Sequence, residues 1–240
     1  MGRTAIVTGA SRGLGLALTR RLVRDGWTVV GDGRDGPRLV ESLGPLGPPA
    51  VAVPGDVTDP SHRAQLVDTA RRLGAGRIDL LVNNAGGLGP SPLPELAAYP
   101  LDALADLFAT NVIAPLALAQ LALPALAGGT IVNVTSDAAV EAYEGWGGYG
   151  ATKAALEQAG RVLAAERPDV RVLTVDPGDM RTQMHQDAFP GEDISDRPLP
   201  DAAVPGLVAL IERAVPSGRY RVVDVTDVTS PVEVVAGVSR

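Results

Sequence analysis

Short runs of β-branched and apolar residues alternate along the chain with stretches of helical periodicity, and this alternation restricts the fold more than any other feature. Several runs are apolar at consecutive positions, which is typical of strands that are covered on both faces. Strands that alternate with helices predict a parallel sheet wrapped by helices. The predicted strands are residues 4–8, 28–31, 50–54, 79–82, 130–134, 170–175 and 220–225. The predicted helices are residues 13–25, 60–73, 101–109, 112–127, 149–166 and 201–215.

The composition favours one globular domain and argues against polyanionic partners. The chain has 240 residues, of which 45% are apolar and 20% are charged, and no long linker interrupts it. A formal net charge of -7 argues against nucleic acid or an anionic membrane as the main partner. The apolar segment 112–127 is shorter than the about 20 residues that span a bilayer, so we expect a buried or interface helix. The start lacks the apolar core of a signal peptide, which makes a cytoplasmic location the default expectation.

A glycine-rich segment, TGASRGLG at 8–15, follows the first predicted strand and opens the first predicted helix. Its glycines, Gly9, Gly13 and Gly15, allow a tight turn and a close approach of a pyrophosphate to the backbone. The helix N-terminus adds free N–H groups and the positive end of a dipole. The alternative is a turn that only packs the helix on the strand, but its position after the first strand favours a phosphate site.

A tyrosine stands four residues before a lysine in YGATK, so Tyr149 and Lys153 share one face of a predicted helix. Free tyrosine is a poor acid, with a pKa of about 10, and a neighbouring cation lowers that pKa. Ser136 ends the fifth predicted strand, where its hydroxyl can hydrogen-bond an oxygen that gains charge. The pair alone would be an ordinary helix surface, but together with Ser136 and the glycine loop it predicts proton transfer to a carbonyl oxygen.

These motifs occur in one order with others, namely DV at 56–57, NNAG at 83–86, Asn111 and PGDMRT at 177–182. The set resembles the short-chain dehydrogenase/reductase family over nearly the whole chain. The resemblance implies α/β architecture: a single Rossmann-type, doubly wound domain over residues 1–240, with a central, mostly parallel seven-stranded sheet flanked by helices.

The resemblance also implies roles for individual residues. Tyr149 would be the general acid/base, Ser136 would stabilise the reacting oxygen, Lys153 would hold the cofactor ribose and tune the Tyr149 pKa, and Asn111 would hold a water that links Lys153 to solvent. Asp56 would accept from the adenine amino group, and Asn83 would steady the central strands. The implied cofactor-binding residues are Gly9, Ser11, Arg12, Gly13, Leu14, Gly15, Arg34, Asp56, Val57, Asn83, Ala85, Gly86, Tyr149, Lys153, Pro177, Gly178, Met180 and Thr182.

The end of the second strand bears on the choice of cofactor. By resemblance, Gly33 takes the place of an acidic residue that selects NAD(H), and Arg34 follows it. Arg12 in the glycine loop is a second guanidinium, which suits a 2′-phosphate. We therefore favour NADP(H). NAD(H) stays open, because Asp32 would bind the ribose if the register is displaced by one residue.

Substrate contacts are expected in two segments. By resemblance, the loop 137–148 borders the substrate. Its aromatic side chains, Tyr143 and Trp146, indicate either an aromatic or partly cationic substrate or simple packing of the loop itself. The aperiodic segment 183–200 predicts a substrate lid. His62 is expected at the surface. His185, in the lid segment, is expected there too, with a contact to the substrate as the alternative. No metal site is predicted, and no cysteine chemistry is available.

The sequence therefore predicts an NADP(H)-dependent oxidoreductase that interconverts a ketone or aldehyde and an alcohol. Its expected partner is a small-molecule carbonyl or alcohol. We also expect a homodimer or homotetramer, although the C-terminal residues depart from the glycine-containing ending usual in the family. The alternatives are a cofactor-binding sensor without turnover and an isomerase or dehydratase that oxidises its substrate transiently.

Overall fold

The central sheet of the protein has seven parallel strands in the order β3–β2–β1–β4–β5–β6–β7. The computed structural model describes residues 2–225, to which every structural statement below refers. The strands are β1 Thr4–Val7, β2 Thr28–Gly33, β3 Ala50–Pro54, β4 Leu80–Asn83, β5 Thr130–Val134, β6 Arg171–Asp176 and β7 Gly218–Arg221. The predicted doubly wound α/β fold with a seven-stranded sheet is confirmed.

Helices cover both faces of the sheet. They are α1 Gly13–Arg24, α2 Gly36–Leu43, α3 Pro60–Leu73, α4 Leu101–Phe108, α5 Ala114–Ala122, α6 Gly147–Glu166, α7 Gln183–Ala188 and α8 Val204–Glu212. Side chains of α1 and α8 pack with one face of the central strands in a first core. Side chains of α3 and α5 pack with the other face in a second core. Burial on both faces explains why the strand sequences are continuously apolar.

Two elements differ from the sequence predictions near the sheet edges. Helix α2 was not predicted, although Asp35 caps it by accepting from the Arg38 N–H and Pro37 stands in its first turn. The last predicted strand, 220–225, lies instead at Gly218–Arg221, and a 3₁₀ turn follows at Val222–Asp224. The C-terminal residues whose departure from the family was noted extend past 225, outside the described residues.

The two helices predicted between β4 and β5 form one continuous helical stretch. Helices α4 and α5 are joined by a π-helical turn at Ala109–Ile113, so that one helical stretch runs from Leu101 to Ala125. By length and composition alone, these 25 residues are enough to cross a membrane. The prediction took segment 112–127 by itself as too short for that, and the length of the helical stretch is corrected accordingly. In the structure α5 packs against α3 in the second core.

The strand order reverses between β1 and β4. In open α/β sheets a ligand binds outside the carboxyl ends of the strands at such a point. The glycine loop follows β1, the NNAG segment follows β4, Ser136 follows β5 and Pro177 follows β6. The topology thus brings the predicted motifs together at the carboxyl ends of the strands.

Candidate active site

A cavity of about 820 Å³ lies along the carboxyl ends of the strands. This volume is at the upper end of the range of about 300–1,000 Å³ that is usual for ligand pockets. The glycine loop and the end of β2 line one end, and Ser136, Tyr149 and Lys153 line the other. The cavity therefore joins the predicted phosphate end to the predicted chemical end.

The glycine loop is attached to the segment after β4. The Thr8 hydroxyl accepts from the Asn84 N–H at 3.0 Å and from the Ala85 N–H at 2.9 Å. Gly9 and Gly13 have φ angles of 67° and 57°, which favour glycine. A Cβ on Gly9 would also lie 3.0 Å from the Asn84 amide nitrogen. At its glycines the loop therefore presents backbone without side chains at the start of α1, where a pyrophosphate can approach closely.

Gly15 acts by packing. A Cβ at this position would lie 2.3 Å from the Gly9 carbonyl oxygen and 2.5 Å from the Asn84 amide nitrogen. Gly15 does not line the cavity. The structure shows close helix–loop packing at Gly15, which holds Gly9 in place.

Four guanidinium groups from α1, α2 and the loops before these helices line the cavity: Arg12, Arg20, Arg34 and Arg38. Gly33 has no side chain there, and a Cβ on it would lie 3.1 Å from the Ser11 side chain. The planar guanidinium groups can each donate paired hydrogen bonds to the oxygens of a phosphate.

Asp32 turns inward. Its side chain accepts from the Gly9 N–H through Oδ1 at 2.7 Å, and Oδ2 lies 3.1 Å from His62 Nε2. Asp32 is 1% exposed and His62 is 4% exposed. The prediction that His62 lies at the surface is wrong, because the ring occupies the space between β2 and the start of α3.

Asp56 and Val57 line the cavity after β3. Oδ1 of Asp56 accepts from the Thr58 N–H and hydroxyl, both at 2.8 Å. Burial acts to raise the pKa of Asp56, but these hydrogen bonds and the charges of Arg34 and His62 lower it overall. The carboxylate therefore stays ionised beside the expected adenine position.

At the chemical end, Tyr149 and Lys153 lie one turn apart on α6 and are both buried. Lys153 Nζ lies 5.5 Å from the centre of the Tyr149 ring and donates to the Val134 carbonyl at 2.9 Å. Burial lowers the pKa of Lys153 to about 8, against a smaller raising effect of Glu157. Lys153 can thus be neutral or charged near neutral pH.

The pKa of Tyr149 is raised. Burial is the largest cause, the Ser136 hydroxyl opposes it, and the carboxylates of Asp176 and Asp137 raise the pKa further. The sequence predicted a lowered pKa for Tyr149. In this structure the pKa is raised instead, because loss of solvent around the phenol outweighs the other effects. The phenol keeps its proton at neutral pH, as a proton donor must.

Ser136 is oriented by its neighbour. Its hydroxyl donates to Asp137 Oδ1 at 2.9 Å and accepts from the Ala138 N–H at 3.2 Å. Tyr143 donates to Asp137 Oδ2 at 3.0 Å. Asp137 was not predicted as a site residue, and its position beside Ser136 was the available signal.

Asn111 lies in the π-helical turn and does not line the cavity. Its oxygen accepts from the Gly87 N–H at 2.8 Å, and its amide donates to the Gly87 carbonyl and the Thr152 hydroxyl, both at 2.9 Å. These three bonds connect the segment after β4 to α6. The side chain is therefore committed to aligning the two segments rather than to a contact in the cavity.

Asn83 is also behind the cavity. It donates through Nδ2 to Asn133 Oδ1 at 2.8 Å, which joins β4 to β5. This link between strands is the role that the resemblance implied for Asn83, and its side chain is buried.

The segment after β6 closes the chemical end, where Pro177, Gly178, Met180 and Thr182 line the cavity. The Thr182 hydroxyl accepts from the His185 N–H at 3.2 Å and caps α7, a short helix inside the segment predicted to be irregular. The His185 side chain is 10% exposed and lines the cavity, which corrects its expected surface position.

Most predicted residues line the cavity, namely Gly9, Ser11, Arg12, Gly13, Leu14, Arg34, Asp56, Val57, Ala85, Gly86, Ser136, Tyr149, Lys153, Pro177, Gly178, Met180 and Thr182. Arg38, Asn84 and Asp176 also line it and were not predicted. Arg38 could have been found from the capping sequence before it, and Asp176 from its position beside Pro177. Residues 2–225 contain no group of three His, Asp or Glu side chains that could hold a metal ion.

Comparisons with known proteins agree with this geometry. Serine 3-dehydrogenase of Agrobacterium fabrum is 36% identical over 188 residues, which cover 76% of this chain and 74% of the relative. Benzil reductase ((S)-benzoin forming) of Saccharomyces cerevisiae is 34% identical over 198 residues, covering 78% and 75%. An alcohol dehydrogenase from Thermococcus sibiricus, solved with 5-hydroxy-NADP, superposes with a TM-score of 0.82 at 25% identity and covers 92% of this chain and 96% of that one.

The family model for short chain dehydrogenases matches residues 3–193. That range holds the glycine loop, Ser136, Tyr149 and Lys153, which line one cavity. The chain is therefore an oxidoreductase that belongs to the short-chain dehydrogenase/reductase family.

Proposed function

We propose that the protein is an NADP(H)-dependent oxidoreductase that interconverts a ketone or aldehyde and an alcohol, with Tyr149 as the general acid/base. One observation carries the proposal: the protonated Tyr149 phenol and the Ser136 hydroxyl line the same cavity as the glycine loop. A carbonyl oxygen placed between the two hydroxyls would accept from Tyr149, and also from Ser136 once that hydroxyl turns its proton away from Asp137.

The cofactor proposal is based on the adenosine end. Arg12, Arg34 and Arg38 would hold a 2′-phosphate, and Asp32 has both oxygens engaged by Gly9 and His62. An acidic group free to bind the ribose hydroxyls is typical of NAD sites, whereas a nearby arginine accommodates the 2′-phosphate of NADP. The ligand in the Thermococcus sibiricus structure is an NADP derivative, which supports the same choice.

The nicotinamide, when bound, supplies or accepts the hydride. The protein's own residues manage the proton and the oxygen. Tyr149 would give its phenolic proton to the carbonyl oxygen as charge develops there, and Ser136 would stabilise that charge. Lys153, whose pKa is about 8, lies close enough to stabilise the resulting phenolate.

The substrate side of the cavity has an apolar wall. Leu88, Trp146 and Met184 form a cluster with Tyr149, and the Trp146 ring meets the Tyr149 ring edge-on at 5.7 Å. Segment 183–200 would be the substrate lid, because α7 at its start contributes Met184 and His185 to this wall. A small carbonyl compound with an apolar body fits these surroundings.

Titration with NADPH and with NADH, followed by nicotinamide fluorescence, tests the cofactor proposal. We expect tighter binding of NADPH, followed by its oxidation on a subset of a panel of ketones and aldehydes. Binding without turnover on any carbonyl or alcohol would favour a sensor. Product formation without net change in cofactor would favour an isomerase or dehydratase, because such enzymes recycle their cofactor.

We also propose a homodimer formed through α5 and α6, and a homotetramer is the larger alternative. Ile113, Leu116 and Leu121 expose apolar side chains on or next to α5, and Val162 does so on α6. Light scattering after size-exclusion chromatography should show a dimer or tetramer for the wild type. The double variant Leu121→Glu/Val162→Glu should be monomeric, and an unchanged mass would exclude this interface.

A further inference from the structure

A buried carboxylate–imidazole pair lies directly under the adenosine end of the cavity. His62 Nε2 lies 3.1 Å from Asp32 Oδ2, while Oδ1 accepts from the Gly9 N–H at 2.7 Å. The Asp32 carbonyl also accepts from the Ala10 N–H at 2.8 Å. The carboxylate is thus held from one side by the glycine loop and from the other by α3.

His62 fits in place because the chain leaves room for it. A Cβ on Gly55 would lie 2.2 Å from His62 Nδ1, so the ring sits against bare backbone after β3. The carboxylates of Asp56 and Asp59 also act on this ring electrostatically. The neighbouring Arg63 is directed elsewhere, because its guanidinium donates to the Val57 carbonyl.

Asp32 is positioned to affect cofactor choice, since it lines the cavity one residue before Gly33. A carboxylate free at the end of this strand would accept from the ribose hydroxyls of NAD(H). It would also repel a 2′-phosphate held by Arg34. Neither happens while Oδ2 is directed to His62.

We propose that His62 is a specificity-determining residue, because it keeps the Asp32 carboxylate turned away from the adenosine ribose and so favours NADP(H) over NAD(H). This inference rests on the proposed function as an NADP(H)-dependent enzyme. His62 acts through Asp32 and does not touch the cofactor itself. Asp32 keeps a second task, which is to hold the Gly9 N–H of the glycine loop.

The test compares dissociation constants for NADPH and NADH in the full-length protein, measured by nicotinamide fluorescence. In His62→Leu, Asp32 loses its inner partner, and we expect the preference for NADPH to fall about tenfold or more. His62→Gln can still donate from a nitrogen near the Nε2 position, so its preference should stay within about threefold of the wild type. Using the ratio removes effects that weaken both cofactors equally.

Two further variants separate this role from a structural one. His62→Leu/Asp32→Asn removes the charge as well as its partner, so the wild-type preference should return. Should His62→Leu fail to fold, His62→Asn replaces it with the same expected loss, because its shorter amide cannot reach Asp32. A wild-type ratio in His62→Leu, or in its replacement, would overturn the inference alone. A wild-type protein that prefers NADH would overturn the cofactor proposal and this inference together.

Discussion

Tyr149 is surrounded by groups that keep its proton in place. Burial raises its pKa most, and the carboxylates of Asp176 and Asp137 add to that effect. In the proposed mechanism, this one hydroxyl is the group whose removal should stop turnover while leaving the rest of the cavity undisturbed.

The variant Tyr149→Phe should retain cofactor affinity within about twofold and lose about 10²–10⁴-fold in turnover, because the proton donor is removed while the ring stays. Fluorescence titration and initial rates measure the two quantities. Tyr220→Phe is the matched control, since it deletes another partly buried hydroxyl, which donates only to the Pro216 carbonyl in this structure. Near-normal turnover in Tyr149→Phe would remove this residue from the proposed mechanism.

The raised pKa of Tyr149 also sets the direction of the pH dependence. Carbonyl reduction needs the phenol and should be nearly constant from neutral to mildly alkaline pH. Alcohol oxidation needs the phenolate, so its kcat/KM should still be rising at pH 9. Measurement in both directions over the same buffers checks this, and an oxidation profile that levels off near pH 7 would contradict it.

Single residues were predictable where a backbone or a motif dictates the side chain. The glycines of the loop and the one-turn spacing of Tyr149 and Lys153 are of this kind. The burial of His62 and His185 was not predictable from the sequence. It depends on the space that a glycine in another segment leaves for one ring and on the capped helix that carries the other. Gly55 and Thr182 supply those conditions here.

At the scale of elements, β7 supports the carboxyl end of the sheet, where the cavity lies. Arg219 on this strand donates through Nε to Glu157 Oε1 of α6 at 3.0 Å and lies 3.4 Å from Asp176 Oδ2 of β6. Glu157 is 1% exposed and also accepts from the Thr135 hydroxyl at 2.8 Å. Three elements thus meet at a buried network directly behind Ser136.

Removing the Arg219 charge should raise the Tyr149 pKa further, because Asp176 would lose its compensating guanidinium. In Arg219→Met we expect the alkaline rise of alcohol oxidation to move up by about one pH unit. Arg219→Lys keeps the charge and should keep the wild-type profile. A lower melting temperature with an unchanged pH profile in Arg219→Met would mean that the network is structural only.

The sequence predicted elements well where their hydrophobic pattern was long. Six of the seven strands and the helices with extended apolar faces were located from that pattern, whereas the last strand lies at Gly218–Arg221 rather than at 220–225. Helix α2 has eight residues with two buried leucines, Leu39 and Leu43, so its periodic signal is short. Its cap residue Asp35 carried more information than its periodicity.

At the scale of the whole molecule, the buried Lys153 of the candidate active site affects folding stability. Lys153 has an ordinary pKa of 10.5 and a folded-state pKa of about 8. The unfolded chain therefore binds more protons between these values, and Lys153 makes the folded state more stable as pH rises from about 8 toward 10. Above pH 10 the raised pKa of Tyr149 acts in the opposite direction.

Urea unfolding at pH 8 and pH 9.5 should show this effect as a difference between variants. The free energy of unfolding should increase with pH more in the wild type than in Lys153→Met, because the variant has no amine to neutralise. The comparison cancels groups that both proteins share. Parallel pH dependences would show that Lys153 keeps its charge in the folded protein.

The π-helical turn at Ala109–Ile113 has a consequence for the lengths that this chain can tolerate. A π-helical turn closes its hydrogen bond one residue later than an α-helical turn. Loss of one residue there would let a regular helix form with α4 and α5 still in their present orientation, because the turn holds the one extra residue. Leu107 on α4 would stay buried, whereas Asn111 inside the turn would lose the position from which it bonds Gly87 and Thr152. A chain one residue shorter in this turn should therefore keep its helix packing and lose the link between the segment after β4 and α6.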